Sequence, residues 1–213
     1  RAGIDDARAT PTSSVSPMPR EGRETTNYAV VDRWGNAVAT TTTINSLYGS
    51  GVGVPAGGFF LNNEMDDFAA QPGTANQFGL VQGEANAIAP GKRMLSAMAP
   101  TIVLDTEGRV LMLVGGRGGP RIITAVVQAI VNVIDHGMTL ADAVGAPRIH
   151  HQALPDELQY EKGGIGEAVV AELQKMGYKT APGVTGSLTA IKRTATGWEG
   201  LFDPRKHGLA SGY

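Results

Sequence analysis

The sequence contains no cysteine, which excludes a disulfide framework, thiolate metal ligation and cysteine nucleophiles. Long apolar runs are also missing. The longest, from Ile122 to Ile134, is interrupted by Thr124, Gln128 and Asn132; it is too short to span a bilayer and predicts a buried helix. Charged residues make up only 18% of the chain and the net charge is -2, so neither a nucleic-acid surface nor a polybasic membrane patch is implied. There is no initiator Met and no signal-peptide pattern at the start, so Arg1 reads as lying inside a longer gene product.

Glycine, by contrast, is abundant. The 29 glycines among 213 residues are nearly double the usual ~7%. They cluster at 49–58, 115–119 and 163–166 without a repeat, which points to tight turns and close backbone approaches. Hydrophobic content of 42% is enough for a substantial core, in one large domain or a piece of a bigger one.

Along the chain, residues 1–24 are polar and hold Pro11, Pro17, Pro19 and three nearby serines, the composition of an exposed linker or of the tail of a preceding segment. At Thr25 the pattern turns β-like. A hairpin is predicted from Tyr28–Val31, the turn 32–36 with Gly35-Asn36 in left-handed positions, and the threonine-rich strand 37–44. Residues 59–61 (Phe-Phe-Leu) predict a short buried strand. Residues 71–93 show no usable periodicity, and a loop of that length in a compact domain usually carries function, for instance as a lid.

A second hairpin is predicted over 101–104 and 110–114, running into Gly115-Gly116-Arg117-Gly118-Gly119-Pro120 and a helix over 121–136. Thr139 and Asp142 have the spacing of a helix cap, 166–176 reads as an amphipathic helix ended by Gly177, and 187–192 with 198–202 make a third hairpin. Hairpins imply antiparallel pairing, and helices arriving in groups imply separate layers, so the fold class is α+β rather than a doubly wound sheet.

Generic motifs carry little chemistry. The glycine loop lacks both phosphate-loop spacings; it reads as a tight strand-to-helix turn or as backbone N–H groups facing an oxyanion. Glu64, Asp66 and Asp67 lack histidine at ligand spacing and suit a solvated turn or a cation-binding corner. His150 and His151 would point to opposite faces of a strand, which makes them poor metal ligands.

Several blocks together are more specific. Thr25-Thr26-Asn27-Tyr28-Ala29-Val30-Val31-Asp32, Thr43-Ile44-Asn45, Leu61-Asn62-Asn63-Glu64-Met65-Asp66-Asp67-Phe68 and Ala99–Val103 resemble the small subunit of γ-glutamyltranspeptidases. So do Gly118–Ile123, Ala146–Gln152 and the ending Ser211-Gly212-Tyr213. The resemblance runs from Thr25 to Tyr213. It implies the αββα sandwich of antiparallel sheets of the N-terminal-nucleophile hydrolases, and a precursor that cleaves itself between Glu24 and Thr25.

In that scheme the Thr25 hydroxyl attacks the preceding carbonyl, an N-to-O acyl shift gives an ester, and water releases a new N-terminus. An α-amino group has a pKa of roughly 7.7–8.0 against ~10.4 for lysine, so one residue then supplies nucleophile and base with no cofactor. The resemblance further implies that Thr43 assists Thr25 and that Asn45, Glu64 and Asp67 hold a substrate α-amino group. Ser96 would bind the α-carboxylate, the Gly118 and Gly119 amides would form the oxyanion hole, and Phe78 would close the site from the 72–83 lid. A large subunit from the same precursor is the implied partner, and a periplasmic or secreted location follows from the bacterial members.

Three positions depart from the family pattern. Asn27 stands where histidine is common, Ala97 replaces one hydroxyl of a serine pair, and Arg117 precedes the two glycines in place of a Ser-Pro element. Losing a hydroxyl and gaining a cation rearranges anion recognition, which makes Arg117 a candidate substrate-binding residue. The expected activity is γ-glutamyl transfer from glutathione or related amides to water, amino acids or peptides. An acylase for another acidic amide, such as a glutaryl side chain of a cephalosporin, and a non-catalytic unprocessed relative are the alternatives.

Overall fold

The computed structural model describes residues 25–212. The linker expected over 1–24, with Glu24, and the terminal Tyr213 lie outside the described residues. Strands β1 (Thr25–Val31) and β2 (Ala37–Thr43) form the first hairpin, closed by Asp32, whose Oδ1 accepts the Trp34 and Asn36 N–H groups at 2.9 Å. Of the two expected left-handed turn residues only Gly35 is one, at φ 86°.

A four-stranded antiparallel sheet forms the centre of the fold. Its strands are β5 (Thr101–Leu104), β6 (Val110–Arg117), β10 (Ser187–Arg193) and β11 (Trp198–Phe202), ordered β11-β10-β6-β5. The β1–β2 hairpin packs on one face. On the other lie α1 (Arg121–Ile134) and α2 (Leu140–Gly145). Alternation along the central strands sorts the side chains. Met112, Val114, Leu188 and Ala190 join the helix-side core with Ile122, Ala125, Val126, Ala129 and Val133 of α1. Those α1 positions recur at helical spacing and make one buried stripe. Thr139 caps α2 as expected, its Oγ1 accepting the Asp142 N–H at 3.1 Å.

These are three layers, α-β-β, with strictly antiparallel pairing in both stacked sheets. The sequence signals did not announce a separate three-stranded sheet of β7 (Ile149–His150), β8 (Leu158–Tyr160) and β9 (Thr180–Pro182), whose β8–β9 pair is parallel. The helix α3 (Glu167–Lys175) makes the crossover that a parallel pair requires.

One expectation is corrected. Phe59 and Phe60 form a two-residue strand, β4, paired with β3 (Gly53–Val54), but their side chains are 55% and 44% exposed. An apolar run with no period cannot say which face is covered. Here the Tyr48 ring meets Phe60, at 5.4 Å between centroids.

Candidate active site

The register of the first hairpin brings Thr25 directly opposite Thr43. Slipping the pairing by one residue would turn Thr43 to the other face, so the turn at Asp32–Asn36 sets the geometry. The Thr25 Oγ1 donates to Thr43 Oγ1 at 3.3 Å, and Thr43 Oγ1 accepts the Asn45 N–H at 2.8 Å. Thr25 is buried. Asn45 takes a left-handed conformation, φ 72°, which asparagine tolerates better than most residues, and its Nδ2 donates to Asn63 O at 3.3 Å.

Around this pair lies a pocket of about 260 Å³. Thr25, Thr43, Asn45, Asp67, Phe78, Ser96, Ala97 and Gly119 are among the residues that line it. Most of the residues expected from sequence therefore converge. The acidic block is a single 3-10 turn, Glu64–Asp67. Burial, with the neighbouring Asp67 carboxyl hydrogen-bonded to it, pushes Glu64 up to about 7. Burial also raises Asp67, and Asp66 adds to the shift. Two carboxyl groups held this close share a proton near neutrality. The Glu64 Oε1 is buried with no hydrogen-bond partner among the described residues, an acceptor poised for a donor.

The glycine loop ends β6 and leads into α1. Gly118 has φ 133° and Gly119 φ 61°, conformations that L side chains rarely adopt. Space is as tight as geometry. A Cβ on Gly118 would sit 2.9 Å from the Gly186 Cα, and one on Gly119 would sit 2.9 Å from the Phe78 ring. Behind the loop, Arg148 Nη1 donates to the Gly186 carbonyl at 2.6 Å and forms a buried ion pair with Asp203 at 2.8 Å. This supporting pair carries no motif and was not anticipated from sequence.

Phe78 comes from the predicted 71–93 lid, which has local order. The Asn76 Oδ1 accepts the Phe78 and Leu80 N–H groups, and the Asp66 Oδ2 accepts the Gln77 N–H at 3.1 Å. Gln152, within a block that signalled the family but to which no role was given, donates Nε2 to the Phe78 carbonyl at 2.9 Å. Ser96 sits at the pocket rim, its Oγ accepting the Met98 N–H at 3.2 Å.

Glu64, Gly118 and Arg117 are the expected site residues, among those described, that do not line this pocket. Arg117 is directed elsewhere. Its Nε donates to Ser187 Oγ at 3.1 Å and its Nη2 to His207 O at 3.4 Å, with the guanidinium 5.9 Å from the Phe202 ring. The last residue of β6 points along the sheet toward β10 and the chain's end, so a cation beside the glycines in sequence is not beside the Thr25 hydroxyl in space. Ala97, in contrast, does line the pocket, at the place of the missing hydroxyl. His150 is a buried structural residue, its Nδ1 2.9 Å from Thr124 Oγ1, while His151 pairs with Asp156 at 3.2 Å.

A family model of gamma-glutamyltranspeptidase matches residues 1–213. The chain belongs to the γ-glutamyltranspeptidase family. It is 48% identical over 191 residues to the glutathione hydrolase proenzyme of Escherichia coli, an alignment covering 87% of this chain and 33% of that protein. To the glutathione hydrolase proenzyme of Pseudomonas aeruginosa it is 43% identical over 212 residues, 98% of this chain and 38% of that one. The chain thus spans about a third of the length of these curated relatives. The crystal structure of a Helicobacter pylori γ-glutamyltranspeptidase mutant superposes with a TM-score of 0.81 at 52% identity, covering 85% of this chain and 100% of that chain. As a γ-glutamyltranspeptidase-family chain it has the N-terminal-nucleophile hydrolase fold, of which the α-β-β layers are present here. No helix among the described residues is long and apolar enough to cross a membrane.

Proposed function

We propose that this chain is the nucleophile-bearing part of a γ-glutamyl acyl-transfer enzyme, made as a precursor and cleaved between Glu24 and Thr25. Residues 1–24 then end the large subunit, 25–213 form the catalytic small subunit, and the two remain together as a heterodimer. The observation that carries this reading is the Thr25–Thr43 hydroxyl pair in a pocket that Asp67 also lines.

After cleavage, the Thr25 α-amino group takes the proton from its own hydroxyl as Oγ1 attacks the γ-glutamyl carbonyl. The Gly118 and Gly119 N–H groups stabilise the oxyanion, the amine leaves with the proton, and an ester on Thr25 remains. Water or an amino group then attacks the ester and restores the hydroxyl. Removing one oxyanion donor costs about 2.7–4 kcal/mol in comparable hydrolases, so the glycines carry a large share of the rate.

The acidic turn supports a γ-glutamyl rather than a glutaryl substrate. A substrate α-ammonium group would displace the proton that Glu64 and Asp67 hold and satisfy the open Glu64 Oε1. A glutaryl group, with no ammonium, would leave two desolvated carboxyls unanswered. Hydrolysis of γ-glutamyl-p-nitroanilide and glutaryl-p-nitroanilide by the full-length protein separates the two. Preference for the γ-glutamyl compound is expected; activity on the glutaryl compound alone would defeat the assignment, and an inert, uncleaved protein would point to a binding relative.

A further inference from the structure

Thr25 stands on β1, while the Gly118 and Gly119 amides stand on the loop that ends β6. The distance between nucleophile and oxyanion donors is therefore set by how the β1–β2 hairpin seats on the central sheet. The hydrophobic effect is non-directional, so apolar contact registers one sheet on another only loosely. At Asn27 the contact between the two sheets is polar and directional. Asn27 lies two residues after Thr25, so the two side chains share one face of β1.

Every polar group of the Asn27 side chain is engaged. Within the hairpin its Nδ2 donates to the Thr40 carbonyl at 2.8 Å and to Thr41 Oγ1 at 2.7 Å. Across the layers its Oδ1 accepts the Thr189 hydroxyl of β10. With both hydrogens and the oxygen in use, the amide can face only one way. Thr189 is directly opposite Gly115 in the β10–β6 pairing. Gly115 is buried, and a Cβ there would overlap the Asn27 amide. Its φ lies outside the left-handed region, so what this glycine supplies is space. The amide thus sits in a notch of β6, three residues before Gly118.

We infer that Asn27 is a positioning residue for the reaction: its amide, bonded to Thr189 and seated over Gly115, holds the Thr25 hydroxyl in register with the Gly118 and Gly119 amides. This rests on the acyl-transfer reading and adds to it the contact that sets its geometry. Asn27 does not line the Thr25 pocket, so it acts through Thr25 and not on the bound substrate.

The test uses the full-length protein with γ-glutamyl-p-nitroanilide, kcat being expressed per chain cleaved at Glu24/Thr25. Thr189→Val keeps the volume and removes the hydroxyl; Thr189→Ser keeps the hydroxyl. A misplaced reacting group costs up to about a hundredfold, so Thr189→Val should lower kcat about tenfold to a hundredfold with KM within about twofold. Thr189→Ser should stay near wild type. Asn27→Ala should lower kcat as far, and combining it with Thr189→Val should cost little more, because both remove one bond. Gly115→Ala added to Asn27→Ala refills the notch: a recovered Tm without a recovered kcat is predicted. A folded Thr189→Val chain that stays uncleaved while Thr189→Ser matures also supports the inference, since self-cleavage depends on the same hydroxyl. Equal kcat in Thr189→Val and Thr189→Ser, or kcat recovering together with Tm in the refilled variant, overturns the inference while the γ-glutamyl reading stands. A wild type that releases no p-nitroaniline overturns the reading and the inference with it.

Discussion

Thr25, Glu64 and Gly119 each depend on a neighbour that sequence distance hides. Thr25 meets Thr43 across 18 residues of hairpin, and Glu64 meets Asp67 one 3-10 turn on. The carboxyl pair gives the site a pH signature. Because burial and Asp67 raise Glu64 to about 7, a protonated pair fills the ammonium site below that pH and must lose its proton before substrate binds. The sign follows: kcat/KM for a γ-glutamyl donor rises with pH through about 7, by about tenfold per unit on the acid side. In Glu64→Gln the inflection near 7 should vanish, leaving the titration of the Thr25 amine at higher pH. An unchanged acid limb in the variant would show that another group is responsible. The carboxyls were legible from sequence as a turn, but their raised affinity for a proton comes from burial, which residue spacing does not report.

Among the elements, the loop that carries Phe78 and the glycine loop meet at Gly119. The Phe78 ring occupies the space that a side chain on Gly119 would need. Gly119→Ala therefore brings a clash together with a left-handed backbone, the latter about 1–2 kcal/mol for an L residue. A fall in kcat of about tenfold to a hundredfold is expected, in line with a tilted oxyanion donor. Phe78→Ala in the same chain should restore part of it; strictly additive losses would mean that the ring is not what the new methyl meets. The long aperiodic stretch was legible as a loop because 71–93 had no hydrophobic period to bury. The hairpins and α1 were equally readable, having clear period-2 and helical patterns. What escaped was the β7–β8–β9 sheet, whose strands of two or three residues are too short to show a period and whose parallel pairing depends on α3. Arg117 lies away from the Thr25 pocket for a different reason. Sequence adjacency to Gly118 says nothing about side-chain direction where a strand ends.

On the scale of the whole molecule, two features stand out, and one marks the chain as part of something larger in the proposed reading. Tyr28, Val30 and Val38 are each more than half exposed on the outward face of β1–β2, an apolar surface that a further layer would cover. The other feature is internal. Arg148 and Asp203, 2% and 0% exposed, tie the end of β11 to Gly186 and so to the back of the oxyanion loop. Deleting one member leaves a buried charge alone, at about 3–5 kcal/mol. Asp203→Ala should lower the Tm of the full-length protein by about 2–5 °C, because the shift per kcal/mol shrinks as the chain lengthens. An unchanged Tm would mean that Arg148 finds another partner or water. The proposed function stands or falls on Thr25 being a nucleophile at a bond it cleaves. Intact-mass analysis of the full-length wild type and of Thr25→Ala addresses it directly. Two fragments meeting at Glu24/Thr25 in the wild type and one uncut chain in the variant are predicted; cleavage at another bond, or equal cleavage in both, would contradict it.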